Sequence, residues 1–252
     1  MRRTPILLAL AALGIVGSPA CTPETASVRV FAAASLTEAV EALAERFAGA
    51  RVEASLGGSS ELARQIRDGA PADVFVSASP EWIEFLEEAD LVAGKPLVLA
   101  RNRLVCIAPK GSPLAARGAR DPKALLGHLG TDDRVAIADE GVPAGEYARD
   151  ALRHLGLLEA FGPRLVGQKD VRAVLHAVER GELQAGFVYS TDAEIADVER
   201  LFAFDPATHP PIEYRAAALR GGPSPAEARR FLGYLQGEAA RALLADMGFA
   251  SP

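Results

Sequence analysis

The chain has 252 residues, 49% of them hydrophobic and 24% charged, a balance that builds one large or two smaller cores and excludes a disordered segment. Its 27 basic and 33 acidic residues are mixed along the chain for a net charge of -6. That pattern offers no basic stripe for nucleic acid.

The first twenty residues read apart from the rest. Arg2 and Arg3 precede an apolar run from Ile6 to Val16, and Gly17-Ser18-Pro19-Ala20 leads into Cys21. Residues 1–20 are expected to be an export signal, too short in its apolar part to span a bilayer as a permanent helix. Small residues before a cysteine resemble a bacterial lipoprotein cleavage site, which would make Cys21 the lipidated N-terminus, although Pro19 departs from that pattern. A soluble secreted protein is the alternative. Cys106 is then the only cysteine of the folded part, inside the apolar run Leu104 to Ala108. It is expected to be a buried structural thiol with no disulfide partner.

From Val28 onward short apolar runs alternate with amphipathic stretches. Val28–Phe31, Val52–Leu56, Val74–Val76, Leu104–Ala108, Val135–Ala138, Arg164–Val166 and Gly186–Tyr189 read as strands. Leu36, Val40, Leu43, Ala44 and Phe47 keep one helical face apolar, as do Leu62, Ala63 and Ile66, then Ala148, Ala151, Leu152 and Leu155, then Val174, Leu175 and Val178. The alternation predicts an α/β fold with mainly parallel sheets flanked by helices. Pro/Gly clusters fall at residues 109–122 and 205–225, the second before a strand-like run Tyr214–Leu219 and two C-terminal helices. The chain is therefore expected to leave one lobe near residue 100, build another and return near 205–215. This gives lobe 1 from 27–102 and 213–252, and lobe 2 from 103–212.

Four helix starts follow strands: Ser35, with Glu38 three residues on as in a capping box; Ser59-Ser60 after Gly57-Gly58, glycines that let backbone approach closely; Val142-Pro143-Ala144-Gly145; and Lys169-Asp170-Val171. In open parallel sheets such starts gather at the carboxyl ends of strands and present free N–H groups and partial positive charge. Such a place binds anions; taken singly each start reads as an ordinary capped helix, and it is their joint occurrence in one two-lobed chain that favours an anion.

Four segments, VFAAASLTEAV, GSSELARQIRDGAPADVFVSAS, VPAGEYARDAL and DVRAVLHAVERGELQAGFVYSTDA, resemble the successive signatures of the molybdate-binding proteins that serve ABC importers. The resemblance implies a two-lobed periplasmic binding protein fold with the oxyanion in the inter-lobe cleft. It implies molybdate contacts, through oxygen rather than as direct metal ligands, at Ser35 and Ser59 in the first lobe and Ala144, Val171 and Tyr189 in the second. Hydroxyls would come from Ser35, Ser59 and Tyr189, and backbone N–H groups from Ser35, Ser59, Ala144 and Val171. It also implies a membrane permease with a cytoplasmic ATPase as partner, a monomer, and no cofactor. The glycine pair before Ser59 departs from many relatives, which carry larger small-polar residues there.

The residue types suit the ligand. Molybdate and tungstate are fully deprotonated dianions near neutral pH, so a selective pocket offers donors, whereas protonated phosphate needs an acceptor. No Asp or Glu occupies the five matched positions. Sulfate or a small organic anion differs only in pocket size and donor placement. A serine-dependent hydrolase is the alternative of another class, but no G-x-S-x-G elbow is present. His128, His154, His176 and His209 are scattered, without metal-ligand spacing. Asp132-Asp133 and Glu87-Glu88 read as solvated faces.

Overall fold

The computed structural model describes residues 26–252, so residues 1–20, expected to be an export signal, and Cys21 lie outside the described residues. Ten strands are formed: β1 (Ser27–Ala33), β2 (Arg51–Gly57), β3 (Val74–Ser77), β4 (Val92–Arg101), β5 (Leu104–Pro109), β6 (Val135–Ala138), β7 (Leu165–Gln168), β8 (Ala185–Tyr189), β9 (Val198–Ala203) and β10 (Glu213–Leu219). The helices are α1 (Thr37–Arg46), α2 (Ser59–Arg67), α3 (Pro80–Glu88), α4 (Pro113–Ala116), α5 (Pro122–His128), α6 (Pro143–His154), α7 (Leu158–Phe161), α8 (Val171–Glu179), α9 (Ser190–Glu194), α10 (Pro225–Leu235) and α11 (Glu238–Asp246).

The strands make two five-stranded sheets, ordered β2-β1-β3-β10-β4 and β7-β6-β8-β5-β9. In each, three strands pair in parallel and the fourth in the order, β10 or β5, runs against both of its neighbours. Four strands of each sheet thus share one direction. The reversed strand is in both cases the one that the chain enters directly after crossing between sheets, at residues 102–103 for β5 and 204–212 for β10. The two sheets are therefore built alike, and the Pro/Gly cluster at 109–122 falls after β5 rather than at the first crossover.

Alternation along the strands supplies both faces of the first sheet, because successive side chains point to opposite sides. Phe31, Phe75 and Ala217 pack with Leu62, Ile66, Ile83 and Leu86 of α2 and α3. Their neighbours Val30, Ala32, Val74, Val76, Ala216 and Ala218 join the larger core with Leu43 of α1, Phe231 of α10 and Leu244 of α11. In the second sheet Cys106 is completely buried, and burial pushes its thiol pKa well up, as expected of a structural cysteine.

Three features differ from the sequence reading. β4 and β9 were not anticipated: β4 carries Gly94 and Pro96, and both lie at sheet edges, where proline is tolerated and one side of the strand needs no partner. α3 was not anticipated either, although Ser79-Pro80 starts it. Ser35 does not cap a helix. It lies in a 3-10 turn, Ala34–Leu36, and α1 begins at Thr37 with no side-chain cap, because the hydroxyl of Ser35 bonds to Tyr214 and the carboxylate of Glu38 bonds to Arg172.

Candidate functional site

Ser35, Ser59, Ala144, Val171 and Tyr189 all line one small cavity between the sheets, with Ala33, Ala34, Gly57, Gly58, Ala78, Val142, Pro143 and Asp170. The cavity sits past the carboxyl ends of β1, β2, β3, β6, β7 and β8, the place where open α/β sheets take their ligands.

Each wall follows from local chemistry. The first intrahelical bond of α2 runs from Leu62 N–H to Gly58 O, that of α6 from Glu146 N–H to Val142 O, and that of α8 from Val174 N–H to Asp170 O. The amides of Ser59, Ala144 and Val171 precede those bonds and are free of the helical ladder. Pro143 opens α6 without an N–H of its own, which leaves Ala144 as the first donor of that turn. Three helix N-termini, each carrying partial positive charge, face one space.

The hydroxyls are arranged as donors. Ser59 Oγ accepts the Ala78 N–H at 3.1 Å, so its own hydrogen remains for the cavity. Tyr189 is 1% exposed, and its hydroxyl has no hydrogen-bond partner among the described residues. Burial holds that phenol well above its ordinary pKa, so it stays a neutral O–H donor.

No lysine or arginine lines the cavity. Arg172, which follows Val171, is turned to other work: Nη1 donates to Glu38 at 2.9 Å, Nη2 donates to Ser35 O at 3.3 Å, and Nε lies 2.9 Å from buried Asp192. Burial opposes the charge on Glu38, yet Arg172 holds its carboxyl below the usual range. Burial pushes the Asp192 carboxyl up to about 7 despite the same arginine. The guanidinium is thus shared between two carboxylates, and dipoles are left to face the ligand.

One wall residue was missed by sequence reasoning. Asp170 lines the cavity, so a carboxylate is present beside the five matched positions. Its Oδ1 accepts the Ala173 N–H at 2.8 Å and caps α8, and the D-V-R-A order, with Asp one residue ahead of the helix, is the signal that identifies it.

The lobes meet closely around this space. A Cβ on Gly58 would lie 3.3 Å from Lys169 O, so the glycine lets the two lobes approach. Trp82 Nε1 donates to Gly141 O at 3.0 Å on one side, with the Arg64 guanidinium 4.9 Å from the centre of its ring. The Arg172–Glu38 pair bridges the lobes on the other. Gly145 is needed for a different reason, since a Cβ there would lie 2.2 Å from Ala138 O. Gly145→Ala is expected to push the start of α6 off β6, costing about 1–3 kcal/mol of stability and displacing the Ala144 amide. A thermal melt with a ligand titration checks both effects; wild-type values for both would mean that α6 tolerates the shift.

A two-lobed α/β protein with a cleft walled by helix N-termini and hydroxyl donors is a binding protein for a small oxyanion, with the solute held between its halves. The chain belongs to the bacterial extracellular solute-binding protein family, which matches residues 28–250. It is 40% identical to the molybdate-binding protein ModA of Haemophilus influenzae, over 95% of this chain and 96% of that one. It is 36% identical to ModA of Escherichia coli, over 96% of each. The periplasmic molybdate-binding protein of Azotobacter vinelandii superposes with a TM-score of 0.79 at 25% identity, covering 89% of this chain and 99% of that one. These relatives are binding proteins. Among the described residues no helix is long and apolar enough to cross a membrane, and no group of three or more metal-ligating side chains is assembled.

Proposed function

We propose that this protein captures molybdate, and tungstate with it, outside the cytoplasm and delivers the anion to an ABC importer. The contacts in this reading are the hydroxyls of Ser35, Ser59 and Tyr189 and the amides of Ser35, Ser59, Ala144 and Val171. The observation that carries it is the meeting of all five positions in one cavity that no basic side chain lines. Relatives named as molybdate-binding proteins support the choice of anion. Lobe 1 comprises 27–102 and 213–252 and lobe 2 comprises 103–212, so each lobe supplies part of the donor set. The importer consists of a permease and a cytoplasmic ATPase, residues 1–20 direct export, and Cys21 carries a lipid anchor. The protein binds and releases its ligand without transforming it.

Titration calorimetry against molybdate, tungstate, sulfate and phosphate tests the reading. Molybdate and tungstate are expected to bind far more tightly than the other two; a preference for sulfate would reassign the protein to sulfate uptake, and heat from none of the four would end the oxyanion reading.

Side-chain donors can be tested singly. A hydrogen bond to a charged group contributes about 1.5–3 kcal/mol, so Ser59→Ala and Tyr189→Phe are each expected to weaken binding roughly tenfold to a hundredfold. The two differ in the ligand-free protein. Ser59→Ala strips the acceptor from the Ala78 N–H and lowers the melting temperature, whereas Tyr189→Phe removes a buried hydroxyl with no protein partner and leaves that temperature equal or higher. Unchanged affinity in both variants would take these hydroxyls out of the site.

A further inference from the structure

Ser35 differs from Ser59 in how its hydroxyl is held. Its Oγ lies 2.9 Å from the Tyr214 hydroxyl, and a serine can donate to or accept from that partner. The surroundings of Tyr214 settle the direction. Asn102 Oδ1 accepts the Arg103 N–H at 2.8 Å, which fixes the amide so that Nδ2 points the other way. Nδ2 then donates to Thr191 Oγ1 at 2.9 Å and to the Tyr214 oxygen at 3.3 Å. Tyr214 is completely buried, and burial raises its pKa well above the ordinary value, so it keeps its proton. A donor left without an acceptor in such a place is costly. The remaining atom within reach of that proton is Ser35 Oγ.

We propose that Tyr214 is a positioning residue that fixes Ser35 as a donor toward the anion, with Asn102 setting the direction of the chain. Asn102 donates to Tyr214, Tyr214 donates to Ser35, and the Ser35 hydrogen has the cavity left as its target. The Ala78 N–H does the same for Ser59. Both serines thus have one of their two lone pairs occupied from behind, which turns the hydroxyl hydrogen toward the cavity. A bias toward a fully deprotonated anion over hydrogen phosphate is thereby set by groups that do not touch the ligand. Asn102 lies in the first crossover and Tyr214 in β10 just past the second, and the Asn102 N–H also donates to Ile212 O at 3.2 Å.

This inference rests on the oxyanion reading of the cleft. The test is a double-mutant cycle, with molybdate and phosphate as titrants, on wild type, Tyr214→Phe, Ser35→Ala and the double variant. Tyr214→Phe is expected to weaken molybdate binding about tenfold in the wild-type background and less than about twofold when Ser35 is already alanine, since groups that act through one another are not additive. It is also expected to narrow the preference for molybdate over phosphate, because the freed Ser35 hydroxyl can rotate and present its oxygen to the phosphate proton. A residue that only packs would give equal losses for both anions and in both backgrounds, and that result overturns the proposal. If Tyr214→Phe fails to fold, Asn102→Ala in the same cycle carries the same expectation and the same refutation. A wild-type protein that binds no molybdate removes the functional reading itself; wild-type binding with an additive cycle removes Tyr214's role alone.

Discussion

Ala144→Asp is expected to cut molybdate affinity by about a thousandfold at pH 7. Ala144 is buried at the second position of α6 and lines the cavity, so a carboxylate there stands beside a dianion. At an effective dielectric constant of about 20, two unit charges about 4 Å apart repel by about 4 kcal/mol, and a second charge on the anion doubles that. The full repulsion is not reached, because the new carboxyl can take up a proton instead. Protonating an ordinary aspartate at pH 7 costs about 4 kcal/mol, from a pKa of about 3.9 at 1.36 kcal/mol per unit. That cost sets the thousandfold ceiling. It also fixes the sign of the pH dependence: in this variant binding improves about tenfold for each pH unit lowered from 7 toward 5, as the proton becomes easier to bind. Calorimetry at two pH values checks both statements. Ala144→Asn, similar in size without the charge, separates crowding from repulsion; wild-type affinity in a folded Ala144→Asp would move the anion away from this helix start.

Saturating molybdate is expected to raise the melting temperature by about 8–16 °C. A ligand that binds the native state alone contributes about 4 kcal/mol at a thousandfold excess over its dissociation constant, and a chain of this size gains about 2–4 °C per kcal/mol. The effect is tied to closure, since Ser35 and Ser59 follow strands of one sheet while Ala144 and Val171 follow strands of the other, which Tyr189 ends, and a tetrahedral anion is surrounded when the two halves come together. Hinge closure about ligand is an established form of motion. Calorimetric melts with and without molybdate measure the first quantity, and solution scattering measures compaction. Equal melting points and equal dimensions would mean that the cleft does not clamp an anion.

The helix starts were legible because they are written in local chemistry: Gly-Gly-Ser-Ser, Val-Pro-Ala-Gly and Asp-Val-Arg each mark a strand giving way to a helix. The five proposed contact positions came from resemblance instead. An amide donor leaves no trace in residue type, so Ala144 and Val171 would pass for packing residues on spacing alone. Ser35 was legible as a serine at a turn but not as the end of a hydrogen-bond chain, because Tyr214 lies 179 positions away in a run that reads as an ordinary strand. β4 was obscured by Gly94, Lys95 and Pro96, whose turn-like composition is harmless at a sheet edge. Asp170 was read as part of a helix start, and its place on the cavity wall follows from how α8 meets the first lobe, which sequence spacing does not encode.

The bridges between the lobes have a bearing on time as well as on fit. A held anion leaves as the halves part, so its residence time depends on how often the Trp82–Gly141 and Arg172–Glu38 bridges break together as well as on the donors that hold it. A transporter that pulls on those bridges can unload the protein at a rate that the isolated protein, however dilute its surroundings, does not reach.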